Sequence, residues 1–269
     1  MPLGRIVKPI KTPRSEAEED RRFVNALARG LDVLRCFERA ERWLPNQEIA
    51  RRTSLPKATV SRLTYTLTTL GYLEHSPERE MYALGLPVLG LGFKVLSHFE
   101  MGRIVRPFMQ ALADEAQAAV SLAVRSGGWV VYVTHCRSDA PLTLGLDVGA
   151  RLSLTRSAIG RAVLFSLDES TSDKALASLR AEAPHEWEQG QAGLQEARES
   201  FTRRGVVFSM PGADIGAAAV TLDPGDGREC FGLNCGGPAS IMTPARLAQI
   251  APRLLDTANR MERAIRSEN

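Results

Sequence analysis

The sequence predicts an α+β chain in two parts, a small N-terminal winged helix-turn-helix and a larger C-terminal domain on an antiparallel sheet, joined by a linker helix. Three observations carry that reading. Two amphipathic helical segments within residues 46–70 are separated by a short break and followed at once by a hairpin pattern. An apolar helical segment with no polar face comes next. From Gly102 onward, segments with strand-like alternation are interleaved with helical ones, the grammar of a sheet with helices before, between and after its strands.

Residues 1–22 are polar, with Pro9, Pro13 and the acidic run Glu16, Glu18, Glu19 and Asp20, and read as a disordered, mobile tail. The winged helix-turn-helix then spans 23–84. Val24, Leu27, Ala28, Leu31 and Leu34 mark a first helix that closes the back of this domain, with Cys36 packed near its end. Between Gln47 and Arg52 only Ile49 and Ala50 are apolar, and they share one helical face. Thr53, Ser54, Leu55 and Pro56 break the period; Lys57 to Leu70 restores it, with Val60, Leu63, Leu67 and Leu70 turned inward. The outer face carries Lys57, Thr59, Ser61, Arg62, Thr64, Tyr65 and Thr66. Cations neutralise phosphates, arginine forks onto guanine, and short hydroxyls reach either. Threonine is a poor helix former, so solubility alone does not account for so many of them. Gly71 stops the helix as a left-handed cap, and Tyr72–His75 and Glu80–Leu84 flank the turn Ser76–Arg79 to form the wing. The expected contacts to double-stranded DNA are Asn46, Lys57, Ala58, Thr59, Ser61, Arg62, Thr64, Tyr65 and, on the wing, Arg79.

In the linker, residues 85–101, Leu86, Val88, Leu89, Leu91, Phe93, Val95 and Leu96 are apolar nearly all round a helix that Pro87 starts. Such a helix must be covered on several sides. Cover by a second copy predicts a homodimer, or a dimer of dimers, on a palindromic operator; cover by the chain's own C-terminal domain is the alternative. Charge agrees with a nucleic-acid partner. Residues 1–100 hold 16 Lys/Arg against 12 Asp/Glu, or +4, whereas residues 101–269 hold 18 against 19, or −1, which together recover the net +3. The four cysteines are too few and scattered for a disulfide scaffold, and no apolar run approaches the ~20 residues that span a bilayer. A cytoplasmic protein without membrane contact is expected.

In the C-terminal domain, 102–269, Ile104, Val105, Phe108, Leu112 and Ala116 mark a helix, and Val120–Arg125 and Trp129–Cys136 are strands around Ser126, Gly127 and Gly128. Leu164, Leu167, Leu176, Leu179, Leu194, Ala197 and Phe201 belong to helices. Strands return at Val206–Ser209, Ala213–Leu222 and Arg228–Cys235, the last two joined by the turn Asp223–Gly227, and Leu247 to Ile265 keeps a helical period.

The segment Leu55, Pro56, Lys57, Ala58, Thr59, Val60, Ser61, Arg62, Leu63, followed by Leu70, Gly71, Tyr72, Leu73, resembles the recognition helix and wing of the IclR family of bacterial transcriptional regulators. The C-terminal domain is similar to that family's GAF-like effector domain, so the likeness runs from about residue 23 to the end. It is strongest along Gly149 to Ala162, a loop that opens a helix through small residues. Ser157 caps that helix, and the amides near Ala158, Ile159 and Gly160 form an anion site, with Gly160 permitting close approach of a carboxylate. Two further stretches match the family's ligand segments. In Phe231 to Pro238, Asn234 and Gly236 stand where the family usually has hydroxyl residues; in Pro211 to Val220, beside Asp214, Ile215 stands for a frequent cysteine and Ala219 for a proline. The segment Phe208, Ser209, Met210 is shorter than the family's acidic loop. The resemblance therefore implies a ligand-responsive regulator whose effector is a carboxylate with an aromatic or apolar body, rather than glyoxylate or a sugar acid. Bound at the Ala158 helix start, it would change how effector domains associate and so the spacing of the winged helices.

Another reading is a GAF-like redox enzyme, of the methionine sulfoxide reductase kind, or a metal sensor, using Cys136 and Cys230. Cys136 adjoins His135, and Cys230 and Cys235 share a predicted strand, but alternation turns each pair to opposite faces. Cysteine pairs at metal-ligand spacing, a Walker loop and a dinucleotide fingerprint are absent from the sequence. The expectation is no catalysis, no cofactor and no metal.

Overall fold

The computed structural model describes residues 22–37, 41–97, 101–139, 145–209, 213–225, 227 and 229–268. The expected tail lies outside these apart from Arg22, as do Met210, Pro211, Gly212, Asp226 and Arg228 of the segments named above. The chain divides into two compact units, residues 1–98 and 99–269.

The first unit contains α1 (Asn25–Arg35), β1 (Leu44–Pro45), α2 (Asn46–Thr53), α3 (Lys57–Thr69), β2 (Leu73–Ser76), β3 (Met81–Leu84) and α4 (Leu86–Ser97). Strands β2 and β3 form the wing hairpin, and β1 adds a short edge strand that the sequence pattern does not reveal, Leu44 pairing with Tyr82. His75 and Tyr82 face each other across the hairpin with ring centroids 4.7 Å apart. Val33, Cys36, Leu44, Ile49, Ala50, Leu55, Val60 and Leu73 make the core. The turn between α2 and α3 is made by Ser54 in the left-handed region, φ 57°, with the Leu55 amide donating to the Ala50 carbonyl. Gly71 takes φ 77° after α3, the conformation its position requires.

Two inward stripes differ from expectation. In α1 the buried positions are Asp32 and Val33, and Val24, Leu27 and Leu31 stand exposed. A short helix can present two neighbouring stripes, and only packing decides which is covered. Leu70, beyond the last turn of α3, is also exposed. Every residue of α4 is at least partly exposed within this chain, including Leu86, Leu89, Leu91, Phe93 and Val95.

A charged network ties α2 to the rest of this unit. Arg52 donates to Glu48 at 2.6 Å, to the Cys36 carbonyl at 3.0 Å and to Glu41, while Arg51 forks onto Glu48 at 2.8 and 2.5 Å. The hydrogen bonds from Arg51 and then Arg52 hold the Glu48 carboxyl down at about 2.

The second unit contains α5 (Met101–Ala116), β4 (Ala119–Ser126), β5 (Trp129–Arg137), β6 (Arg151–Ser153), α6 (Ala158–Ser166), α7 (Glu169–Glu182), α8 (Pro184–Gly190), α9 (Leu194–Arg204), β7 (Val207–Phe208), β8 (Ile215–Leu222), β9 (Phe231–Pro238) and α10 (Pro244–Glu268). The strands form one antiparallel six-stranded sheet in the order β6-β5-β4-β9-β8-β7. Strand β9 starts at Phe231, three residues later than the alternation suggested, and β6 and α8 were not anticipated. Helices α5 and α10 bury Val105, Met109, Leu112, Leu247, Leu254 and Met261 against Val120, Leu122, Ala218, Val220 and Leu233 on one sheet face. On the other, α6 sets Ile159 and Val163 against Ala123, Val130, Tyr132, Ala217 and Ala219.

Glu48→Gln is expected to lower the stability of the winged unit by about 1 kcal/mol near neutral pH, because the partly buried Arg52 loses a charged partner. Glu48 titrates at about 2 instead of its ordinary 4.5. Its contribution is therefore complete above pH ~4.5 and disappears as the pH falls toward ~2. Melting curves of both proteins at pH 7, 4 and 2.5 should show the gap between them closing.

Candidate functional site

On the recognition helix α3, Lys57, Ala58, Ser61, Arg62 and Tyr65 are exposed, Tyr65 by 74%, and Thr59 is partly so. Thr64 is fully buried, its hydroxyl donating to the Val60 carbonyl at 3.0 Å, which corrects its expected place among the outward residues. It lies four residues after Val60, on the same helical face. Three other hydroxyls of the helix are also engaged: Ser61, Thr66 and Thr69 each donate to the carbonyl four residues earlier, at 3.0 Å in every case. Their oxygens keep accepting capacity. Asn46, at the start of α2, donates its amide to Ser61 Oγ at 2.7 Å and fixes the mutual position of the two helices. Among the described residues Lys57 and Arg62 have no ion-pair partner, whereas Arg51 and Arg52 are held by Glu48. On the wing, the guanidinium of Arg79 lies 5.8 Å from the ring centre of Trp43, and that of Arg42 lies 5.7 Å from it.

The second candidate region is the α6 side of the large sheet. Ser157 caps α6, its Oγ accepting from the Gly160 amide at 3.0 Å and donating to the Ser153 carbonyl at 2.8 Å. Ala158, Ile159 and Gly160 are all buried. Gly160 serves packing: a Cβ there would come within 2.3 Å of the Ser153 carbonyl and 2.7 Å of Leu154 Cα. The expected role of opening room for a ligand is thus corrected, since its bare side faces the preceding turn. Arg161, also buried, donates to the carbonyls of Thr155 at 2.5 Å, Gly190 at 3.0 Å, Ala192 at 2.8 Å and Gly193 at 3.3 Å. It thereby clamps the loop after α8 beneath the start of α6, and burial lowers its pKa without discharging an arginine.

Asp214 is exposed and Ile215 half-buried at the start of β8, and Gly236 is buried on β9 against Ala217. Asn234 is buried on the same strand and donates to the Tyr132 hydroxyl at 3.1 Å. Tyr132, Ser121 and His135 join it in a small polar cluster that sequence reasoning missed. Ser121 Oγ lies 2.9 Å from His135 Nδ1 and also hydrogen-bonds Tyr132, whose pKa burial raises. Only the register, which places Ser121 opposite both His135 and Asn234, brings these residues together.

Cys136 and Cys230 do not meet. Val120 pairs with Cys136 on one side and Cys235 on the other, and Cys230 precedes Cys235 by five residues, roughly 16 Å of extended chain. Burial raises all three thiols, Cys235 to about 12.

The chain matches two family models, the IclR helix-turn-helix domain over residues 26–77 and the bacterial transcriptional regulator IclR C-terminal over residues 93–199. It belongs to the IclR family. It is a DNA-binding transcriptional regulator and not an enzyme. Its relatives include the HTH-type transcriptional regulator TsaQ1/TsaQ2 of Comamonas testosteroni, 34% identical over 87% of this chain and 85% of that one. An IclR-family transcriptional regulator from Brucella abortus superposes with a TM-score of 0.79 at 38% identity, covering 94% of this chain and 98% of that one. An IclR homologue from Microbacterium hydrocarbonoxydans, solved in complex with 4-hydroxybenzoate, shares the fold at 20% identity, with a TM-score of 0.70 over 90% of this chain and all of that one. Among the described residues no helix is long and apolar enough to cross a membrane.

Arg161→Leu should destabilise the effector unit by about 3 kcal/mol or more, because it strands buried carbonyls that the guanidinium now satisfies. Gly160→Ala should cost about 1–3 kcal/mol by overpacking. Thermal or urea unfolding of the two variants against the parent checks both.

Proposed function

We propose that this regulator binds a palindromic operator as a homodimer or dimer of dimers, and that a small carboxylate with an aromatic or apolar body modulates the binding. The observation that carries the effector reading is the start of α6. Its positive end is reinforced by the buried guanidinium of Arg161 and lies beside an apolar sheet face. The amides of Ala158 and Ile159 would receive the carboxylate beside the Ser157 cap, and Ile215, Ala217 and Ala219 would flank the body of the ligand. That an IclR homologue of this fold holds 4-hydroxybenzoate supports the size and class of ligand.

For DNA, Lys57, Ala58, Thr59, Ser61, Arg62 and Tyr65 would enter the major groove and Arg79 would follow the backbone from the wing, Trp43 restraining it. Asn46 acts through Ser61. Exposed apolar residues on α4, together with Val24 just before α1 and Leu27 and Leu31 on it, support assembly through the first unit. Residues 23–84 are then the DNA-binding domain, 85–101 the dimerising linker and 102–269 the effector domain. The acid acts by favouring one arrangement of paired effector domains over another, a coupling of about 1–3 kcal/mol.

Fluorescence anisotropy on labelled duplexes tiling the DNA upstream of the chain's own gene, at fixed salt, tests this reading with and without a panel of carboxylates. One tile should bind tightly, and aromatic acids should alter its affinity while small polar acids do not. A response to glyoxylate-like acids alone would overturn the ligand class. On the preferred tile Arg62→Ala should weaken binding by about 1–3 kcal/mol, whereas Thr64→Val should bind as the parent does. Phe93→Asp should reduce the mass measured by light scattering to a smaller assembly, and an unchanged mass would move the dimer interface elsewhere.

A further inference from the structure

Trp43 lies just before β1 and does not join the core of the first unit. Leu44, the next residue, is buried there, whereas Trp43 turns the other way along the extended chain and stays partly exposed. Two exposed guanidinium groups lie against its indole, that of Arg42 from the same segment at 5.7 Å and that of Arg79 from the wing turn at 5.8 Å. An indole is the strongest aromatic platform for a cation, and a stacked guanidinium keeps its N–H edge free to meet another group.

The pair is electrostatically incomplete. Among the described residues neither guanidinium has a carboxylate partner. Glu41, beside Arg42, is taken by Arg52, and Glu48 is shared by Arg51 and Arg52. Glu78 and Glu80 flank Arg79 in the sequence without pairing with it. Two like charges gathered on one ring repel each other, and a polyanion relieves that repulsion. The position is specific too. Strand β1 pairs with β3 of the wing, Pro45 opposite Met81, and Asn46 donates to Ser61 Oγ on the recognition helix at 2.7 Å. Trp43 is three residues before Asn46, so its Cα lies within roughly 11 Å of that bridge. The arginines therefore stand beside α3 on its wing side. With α3 in the major groove, the groove next to it is the minor groove bordered by the strand that Arg79 follows. A narrow minor groove concentrates negative potential and draws in arginine, and its width depends on sequence.

We propose that Arg42 and Arg79, stacked on Trp43, enter the minor groove flanking each half-site and read its width, so that the operator carries A·T-rich flanks outside the bases read by α3. Trp43 is a positioning residue that holds the two guanidinium groups at one spacing. The inference rests on the reading of α3 as the major-groove helix given above.

The test is fluorescence anisotropy of the full chain at fixed salt on two forms of the preferred tile. Both keep the half-sites located by hydroxyl-radical footprinting; one has A-tract flanks and the other G·C flanks. The A-tract duplex should bind about tenfold more tightly. Arg42→Ala and Arg79→Ala should each bring the two duplexes to within about threefold of each other, by a loss confined largely to the A-tract form. Trp43→Leu should do the same, and Trp43→Phe, which keeps an aromatic ring but weakens the platform, should narrow the ratio and serves if Trp43→Leu does not fold. Arg62→Ala should weaken both duplexes alike and leave the ratio as it is. Equal binding of the two duplexes by the parent, or a ratio that survives in the Arg42 and Arg79 variants, overturns the minor-groove reading and leaves the major-groove reading standing. Equal losses on both duplexes in those variants assign the arginines to phosphates and overturn it as well. A flank preference in a protein indifferent to Arg62→Ala overturns the reading of α3 instead, and no preference for any tile over random sequence overturns both.

Discussion

The pairing of β4 with β9 is the constraint on which the effector unit depends. It joins residues 119–123 to residues 232–236, more than a hundred positions apart, and fuses two local hairpins into one sheet. Closing so long a loop is entropically costly, and the compensation comes from helices that cover both faces. Val120 and Leu233 turn to α5 and α10, while Ala123 turns to α6. A slip of one residue in this pairing would invert every side chain and send Ser121 and Asn234 into the opposite apolar layer. The register is thus what allows a polar strip to exist inside an otherwise apolar face.

The start of α6 illustrates how little freedom remains once the sheet is set. The turn before it is pinned by Ser157 at both its hydroxyl bonds, by the missing Cβ of Gly160 and by the four carbonyl bonds of Arg161. Each of these residues is explained by packing and hydrogen bonding without reference to a ligand. The anion-favouring electrostatics follow as a by-product of a well-capped helix whose first turns also contain a buried cation.

In the winged unit the same economy appears in the hydroxyl-rich helix α3. Ser61, Thr64, Thr66 and Thr69 bond backbone carbonyls one turn back, and Asn46 spans to Ser61, so the exposed face is polar without being loosely ordered. The charges divide by role. Arg51 and Arg52 are held by Glu48, and Lys57 and Arg62 stand on the face turned to solvent.

The sequence by itself determined the helix-turn-helix, its wing, the run of apolar residues in α4 and most strands of the sheet, because periodicity and turn residues are local properties. It also pointed to Ser157 as a cap, since a hydroxyl before an apolar helix has one dominant use. Tertiary structure alone decided which stripe of α1 is covered, that Thr64 faces inward, and that Gly160 answers to backbone crowding. It alone assembled Ser121, Tyr132, His135 and Asn234, residues whose separations of up to 113 positions leave no trace in any local pattern. The physical reason is the same throughout: burial and hydrogen-bond partnership across a sheet depend on register between strands, and register is fixed only when both faces find their cover.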